Sequence, residues 1–452
     1  MSPKDVAMMI LGRALWVGMA SLCATSALAA ADERPPPAAT GTIDAHARKE
    51  VLDTLAQKLE SQYVLVDVAR KLTKTVRAKE KANAYKNITQ GPELARALTD
   101  DLFAVAHDKH LRVAFSFSQL PQGPLGPPPL EFFKKLNGMI PKLEILDGNV
   151  GYMRVNGVPP IESARAAVAA SFAFLHNTDA LIIDNRENHG GDPNTVAWYV
   201  SHLSVGPSYL VNTFHWREGN RTEEFKTTEL GELSYGTTKP VFVLTSAATF
   251  SGGEELAYDL QALKRGVIVG EVTGGGANPG GPRPLGHHFL VNMPGGQAVN
   301  AVTGTNWEGV GVKPDIPVPA PDALTKAHAL AIDRLVADAA DPPARAVLEA
   351  LAMKLESEAE SSTATRLTNA QIVGTYTQSV RPDPPVTILE KDGQLIQHID
   401  GFPERALSYL AGNRYRRGGG LDESIDYFRA KDGKTQLLMR GLFEPSLILT
   451  RQ

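Results

Sequence analysis

Ser251 lies in the stretch Val243-Leu-Thr-Ser-Ala-Ala-Thr-Phe-Ser-Gly-Gly-Glu-Glu255, where an apolar β-type run over 240–244 gives way to a helical pattern over 254–263. A hydroxyl at such a junction is presented rather than buried. The N–H groups of the helix's first turn have no partners within the helix, so they can stabilise negative charge developing beside that hydroxyl. Gly252 and Gly253 let a substrate come close to the backbone. The arrangement suits a nucleophilic serine. It equally suits a plain helix start, with Ser251 as N-cap and Glu254 closing a capping box. Attack on an amide also needs a base, a group that orients the base, and donors for the oxyanion. His110, in His107-Asp-Lys-His-Leu-Arg112, falls where a helical pattern ends and a strand pattern begins, so its ring can project into a cleft. His107 is the second choice. The N–H of Gly252 and the N–H of Gly190 or Gly191, in Asn185-Arg-Glu-Asn-His-Gly-Gly191, are candidate oxyanion donors. The sequence does not choose between those two glycines.

The elements that must hold these residues follow from periodicity. Val51, Leu55, Leu59 and Val64, then Leu94, Leu98, Leu102 and Val105, recur near 3.6 residues and predict a helical segment over 43–120, with Gly91-Pro92 opening its second long helix. Residues 111–117 alternate as a strand, and the proline-rich run 120–129 reads as a loop. From 121 to 322 strands and helices alternate, which predicts an α/β core. It starts with a hairpin over 143–155 and includes a buried-type strand over 180–184 and another over 266–270. Two helices separated by Asp341-Pro-Pro343 and a polar linker over 356–365 make up 323–365. Short strands with Lys391-Asp-Gly393 and Lys431-Asp-Gly433 turns predict a small all-β domain over 366–452.

Composition narrows the setting. With 452 residues, two or three domains are expected. A net charge of −4 gives no reason to expect nucleic acid as a partner. Lys4 and Arg13, a short apolar run over 14–24 and Ala27-Leu-Ala29 read as a signal peptide over 1–29, followed by a proline-rich linker over 30–42. The expected product is exported, periplasmic or secreted, with no stable membrane anchor after cleavage. Cys23 is the only cysteine and leaves with the leader. No metal and no cofactor are expected. His287 and His288 would face opposite ways on a strand, there is no His-Glu-x-x-His pattern, and Gly274-Gly-Gly276 lacks the Lys-[Ser/Thr] ending of a phosphate loop.

Four motifs in order carry a family resemblance: Leu181-Ile-Ile-Asp-Asn-Arg-Glu-Asn-His-Gly-Gly191, the Ser251 stretch, Lys264-Arg-Gly-Val-Ile-Val-Gly-Glu-Val-Thr-Gly-Gly-Gly276, and Trp307-Glu-Gly-Val-Gly-Val-Lys-Pro-Asp-Ile316. Over residues 43 to 320 the chain resembles the serine peptidases comprising C-terminal processing proteases, tricorn core proteases and interphotoreceptor retinoid-binding protein. The resemblance implies a crotonase-like β/β/α peptidase core. It implies an exported serine endopeptidase acting on peptide or protein substrates, with Ser251 as nucleophile, His110 in an Asp-x-His motif as base, and Glu308 as orienting group. Many C-terminal processing proteases place a lysine base in a Gly-Lys-Gly segment; here the corresponding stretch is Thr273-Gly-Gly-Gly-Ala-Asn278, which favours the Ser–His–Glu arrangement. The alternative function is a binding protein on the same scaffold, holding an apolar small molecule or a peptide without cutting it.

Overall fold

In the computed structural model, which describes residues 41–118, 129–360, 367–377, 384–411, 413–417, 424–429, 433–440 and 447–452, the N-terminal segment contains helices α1 (Ala45–Gln62), α2 (Val66–Lys81) and α3 (Gly91–Ala106). Two long helices were expected, and the difference arises at Tyr63. Its backbone is extended (φ −63°, ψ 134°), and the next N–H, that of Val64, donates to Pro294 O at 2.9 Å. A tertiary partner thus interrupts a helical pattern. The predicted signal peptide and the proline-rich loop lie outside the described residues, apart from the loop's last position.

The core continues with β1 (Arg112–Phe115), α4 (Leu130–Lys135), β2 (Lys142–Leu146), β3 (Val150–Arg154), α5 (Ile161–Leu175), β4 (Ala180–Asp184) and α6 (Pro193–His202). Then come β5 (Leu210–Trp216), β6 (Arg221–Lys226), β7 (Val241–Thr245), α7 (Gly252–Ala262), β8 (Val267–Gly270), β9 (Gly280–Gly286), β10 (Phe289–Pro294), β11 (Gly296–Asn300) and β12 (Ile316–Pro317). One six-stranded sheet has the order β12-β8-β7-β4-β3-β2, with β2 alone antiparallel to its neighbour. Every residue of β4 and β7 is buried, because helices cover both faces of the parallel strands. Phe172 of α5, Val200 of α6 and Leu260 of α7 pack on one face. Helices α8 (Ala323–Asp338) and α9 (Pro342–Glu360) cover the other through Ala327, Ile332 and Leu351.

This topology creates the site. Since β4 and β7 are adjacent and parallel, with Asp184 opposite Leu244, the loops leaving their carboxyl ends meet. That edge is where open α/β sheets bind ligands. Two three-stranded sheets, β1-β10-β9 and β11-β5-β6, wall the space in front of it. His287 and His288 form the turn between β9 and β10, both with positive φ, rather than lying on a strand as the sequence suggested.

Helix α9 runs through Glu360, into the segment expected to be a linker; Glu356-Ser-Glu-Ala-Glu360 is polar but contains good helix formers. Beyond it, α10 (Asn369–Ile372) leads into β13 (Gly374–Thr377) and a closed eight-stranded barrel that ends at β20 (Leu447–Arg451). The expected hairpins are present, and closure comes from β13 pairing with β20, Tyr376 opposite Arg451. Tyr376, Ile388, Tyr427 and Leu437 fill its core, while Leu438 packs outward into the cluster of α8 and α9. No helix among the described residues is long and apolar enough to cross a membrane.

One buried ring in this core sets an acid limit on stability. His202 of α6 stacks on Phe172 with ring centroids 4.5 Å apart, and burial lowers its pKa from 6.5 to about 4. The folded state keeps the neutral ring, so its contribution is complete above pH 6.5 and is lost as pH falls towards 4. About 3 kcal/mol of unfolding free energy should disappear across that window because of this ring. Urea unfolding at pH 7 and pH 4.5 checks this: His202→Leu should show a flatter pH dependence than the parent, and an unchanged slope would contradict it.

Candidate active site

Ser251 has φ 54° and ψ −126°, a backbone conformation that a residue with a side chain seldom adopts. The surroundings hold it there. Phe250 N donates to Asn188 O at 2.9 Å, Thr249 Oγ1 to Asn185 O at 2.9 Å, and Asn185 Nδ2 to Gly253 O at 2.6 Å. The loop after β4 therefore grips the turn after β7. Gly190 permits the contact, for a Cβ there would stand 2.6 Å from Gly252 N and 2.7 Å from Ser251 Cβ. Glu254 does close on the Ser251 N–H, at 2.9 Å, as a capping residue should. It also accepts from Thr273 Oγ1 at 2.5 Å, Gly275 N at 2.6 Å and Gly276 N at 2.8 Å. The fully buried Glu254 thus ties the glycine-rich loop to the serine turn.

That loop backs His110. A Cβ on Gly276 would lie 2.9 Å from His110 Cε1, and the imidazole packs on Phe250 with centroids 4.6 Å apart. The His110 backbone is fixed by its N–H donating to Asp108 Oδ1 (2.9 Å) and by Asn292 Nδ2 donating to its carbonyl (2.8 Å). One edge of the ring opens to the cleft, and Nδ1 is buried without a hydrogen-bond partner among the described residues. Burial, with the Arg112 charge nearby, lowers the His110 pKa to about 4. The ring is therefore neutral at ordinary pH, the state in which an imidazole accepts a proton. Ser251, His110, Gly191 and Gly252 line one cleft of about 970 Å³. His107 instead ends α3 in a left-handed conformation, exposed, with its ring against Phe103.

The two glycines left open by the sequence differ in the fold. The Gly190 N–H donates to Asn188 Oδ1 at 2.9 Å. No hydrogen bond holds the Gly191 N–H among the described residues, and a Cβ on Gly252 would be 3.0 Å from Gly191 N. The unengaged amide and the start of α7 therefore lie side by side at the cleft.

Glu308 reaches the same neighbourhood without touching the imidazole. Its Oε2 accepts from Ala277 N (2.6 Å) and Asn278 N (2.9 Å), the residues following the glycine that backs His110. Burial, together with the nearby Asp108 charge, pushes its pKa up to about 7. No hydrogen bond joins Glu308 to His110. Asp108, which sequence reasoning did not assign, is buried, accepts from Tyr63 OH at 3.0 Å, and has its pKa raised by burial. Its place inside the Asp-x-His motif was a usable signal; Tyr63, at the end of α1, offered none.

Lys109, the residue before His110, lines the cleft, and its Nζ donates to Gly274 O at 2.5 Å. Ser246, the next serine upstream, donates its hydroxyl to Arg186 O at 2.6 Å.

Residues 149–318 match the model of peptidase family S41, and residues 42–129 match the N-terminal domain of that family as found in eukaryotic IRBP. The chain belongs to peptidase family S41. Solved structures similar to this S41 chain include the photosystem II D1 C-terminal processing protease, at 23% identity and a TM-score of 0.32, covering 39% of this chain and 45% of that one. Mature CPAF complexed with lactacystin matches at 13% identity and a TM-score of 0.42, over 64% of this chain and 97% of that one. The tricorn protease matches at 18% identity and a TM-score of 0.27, over 46% of this chain and 18% of that one. This chain thus spans less than half the length of the D1 processing protease.

Proposed function

We propose that this S41 chain is an exported serine endopeptidase that hydrolyses peptide bonds through an acyl-enzyme. The observation that carries the reading is Ser251, held with positive φ at a strand-to-helix junction and facing the cleft that His110 also lines. Ser251 Oγ attacks the substrate carbonyl while His110 Nε2 takes its proton. The N–H groups of Gly252 and Gly191 hold the oxyanion. The imidazolium then protonates the leaving amine, and water releases the acyl group by the same steps in reverse. For Nε2 to accept, Nδ1 must carry the hydrogen and needs an acceptor. Glu308 takes that part, because only Oε2 is bonded to backbone and the carboxylate sits on the segment backing His110. Export rests on the charged start, the apolar run and Ala27-Leu-Ala29.

Labelling with a serine-reactive fluorophosphonate, followed by peptide mapping, tests the assignment. The label should sit on Ser251; label elsewhere, or none, would sink it. The unbonded His110 Nδ1 favours one second reading, a non-catalytic binder on this scaffold, and a protein that resists the label would support that reading.

A further inference from the structure

The cleft has a second chemical end. Glu255, four residues after Ser251 on α7, lines the same cleft and is only 4% exposed. Its Oε1 accepts from Asn212 Nδ2 of β5 at 3.1 Å, and its other oxygen has no hydrogen bond among the described residues. One turn further, Asp259 is fully buried. Its Oδ1 accepts from Asn300 Nδ2 of β11 at 2.8 Å, and its Oδ2 has no partner among the described residues. Helical spacing stacks the two carboxyls on one face of α7. Among the described residues no lysine, arginine or histidine pairs with either of them. Burial pushes both carboxyls above the usual carboxylate range, Asp259 further because Glu255 lies beside it. Buried carboxyls are ordinarily matched by a cation or several donors. Here the described residues supply two amides and no positive charge.

The walls around Glu255 indicate what could supply it. Phe214 and Phe225 meet edge to face with centroids 4.6 Å apart and line the cleft with Trp216. Aromatic walls accept the methylene stem of a long basic side chain and attract its head. Glu223, also on this wall, is already engaged by Trp216 Nε1 at 2.9 Å and Arg221 at 3.0 Å, so Glu255 is the acid with capacity left. Lys109 and Arg112 line the cleft with His110. His110 must reach the leaving amine, so that wall faces the leaving group. Asp192, the residue after Gly191, lies near enough to Glu255 to raise its pKa, and both line the cleft.

On the serine peptidase reading above, we infer that Glu255 is a specificity-determining residue that selects Lys or Arg as the residue whose carbonyl is attacked. A cationic head draws the proton off Glu255 to water and pairs with the resulting carboxylate. An apolar side chain leaves that carboxyl protonated and unmatched, and an acidic one opposes its ionisation.

The test uses the full chain and fluorogenic peptides identical except for the residue before the cleaved bond: Lys, Arg, Leu or Glu. Lys and Arg should exceed Leu by about 100-fold in kcat/KM, with Glu lowest. Glu255→Gln should shrink the Lys-to-Leu ratio by about tenfold or more, and because the ratio is internal, partial misfolding of the variant cancels from it. Leu cleaved as well as Lys by the parent protein would overturn the inference, as would an unchanged ratio in the variant. Fluorophosphonate labelling of both proteins separates the two possible failures. Labelled protein without the preference overturns only the Glu255 assignment. Parent protein that takes no label overturns the peptidase reading, and this inference with it.

Discussion

Ser251→Ala should lower kcat by about 10⁵- to 10⁶-fold and abolish fluorophosphonate labelling while leaving a folded protein. The loss is large because nucleophile, base and oxyanion donors act as a unit, so the remaining parts cannot form an acyl-enzyme. The stability cost should stay within about 1–2 kcal/mol. Several of the bonds that pin the turn run through the Ser251 N–H and the neighbouring backbone, which the substitution leaves in place. Turnover of a peptide library and urea unfolding, both set against the parent, measure the two effects. A variant that keeps its activity would move the nucleophile elsewhere. A variant that unfolds would show the hydroxyl to be structural.

The second large effect concerns the base and its pH dependence. From sequence alone, a histidine base implies an acid limb in kcat/KM at about 6 to 7, set by the imidazole. On the proposed triad, that limb belongs to a different group. His110 is neutral above about pH 4, whereas Glu308 ionises only above about pH 7. A protonated Glu308 can still accept from Nδ1–H through its carbonyl oxygen, but it carries no charge to stabilise the imidazolium that forms on proton transfer. Between these values the base is neutral but lacks a charged partner. We therefore expect kcat/KM to rise with pH through about 7, with Glu308 as the titrating group. Glu308→Gln cannot ionise. It should lower the plateau by about 10²- to 10⁴-fold and move the remaining acid limb towards pH 4, where His110 takes a proton. An intact limb near 7 in that variant would remove Glu308 from the role. His110→Ala should cost about as much as Ser251→Ala. Lys109→Ala, which removes the lysine lining the cleft, should cost far less; the opposite ranking would call for a Ser–Lys mechanism built on Lys109.

Much of the geometry of the candidate site depends on contacts across long sequence separations. Asp108 meets Tyr63 from the end of α1, Lys109 meets Gly274, and Arg217 Nη1 donates to Tyr63 O at 2.6 Å, tying β-sheet to helix. Each needs two segments to be packed before it exists. Local periodicity carries no record of such pairs.

The sequence by itself determined the local elements. The buried runs of β4 and β7, the hairpin over 143–155, and the strand–serine–helix turn follow from apolar patterning, turn residues and small residues acting over a few positions. It also confined the candidate nucleophile, base and oxyanion donors to a handful of residues. Tertiary structure decided the rest. It broke the first helical pattern at Tyr63, because Val64 found a partner on β10. It closed the C-terminal hairpins into a barrel, because β13 and β20 pair across the full length of that unit. It engaged the Gly190 amide and left that of Gly191 open, because Asn188 folds back onto one of them. It also placed Glu255 and Asp259 against β5 and β11 without a cation. Their spacing on α7 is legible in sequence, but the burial that makes that spacing consequential arises only when the sheets close over the helix.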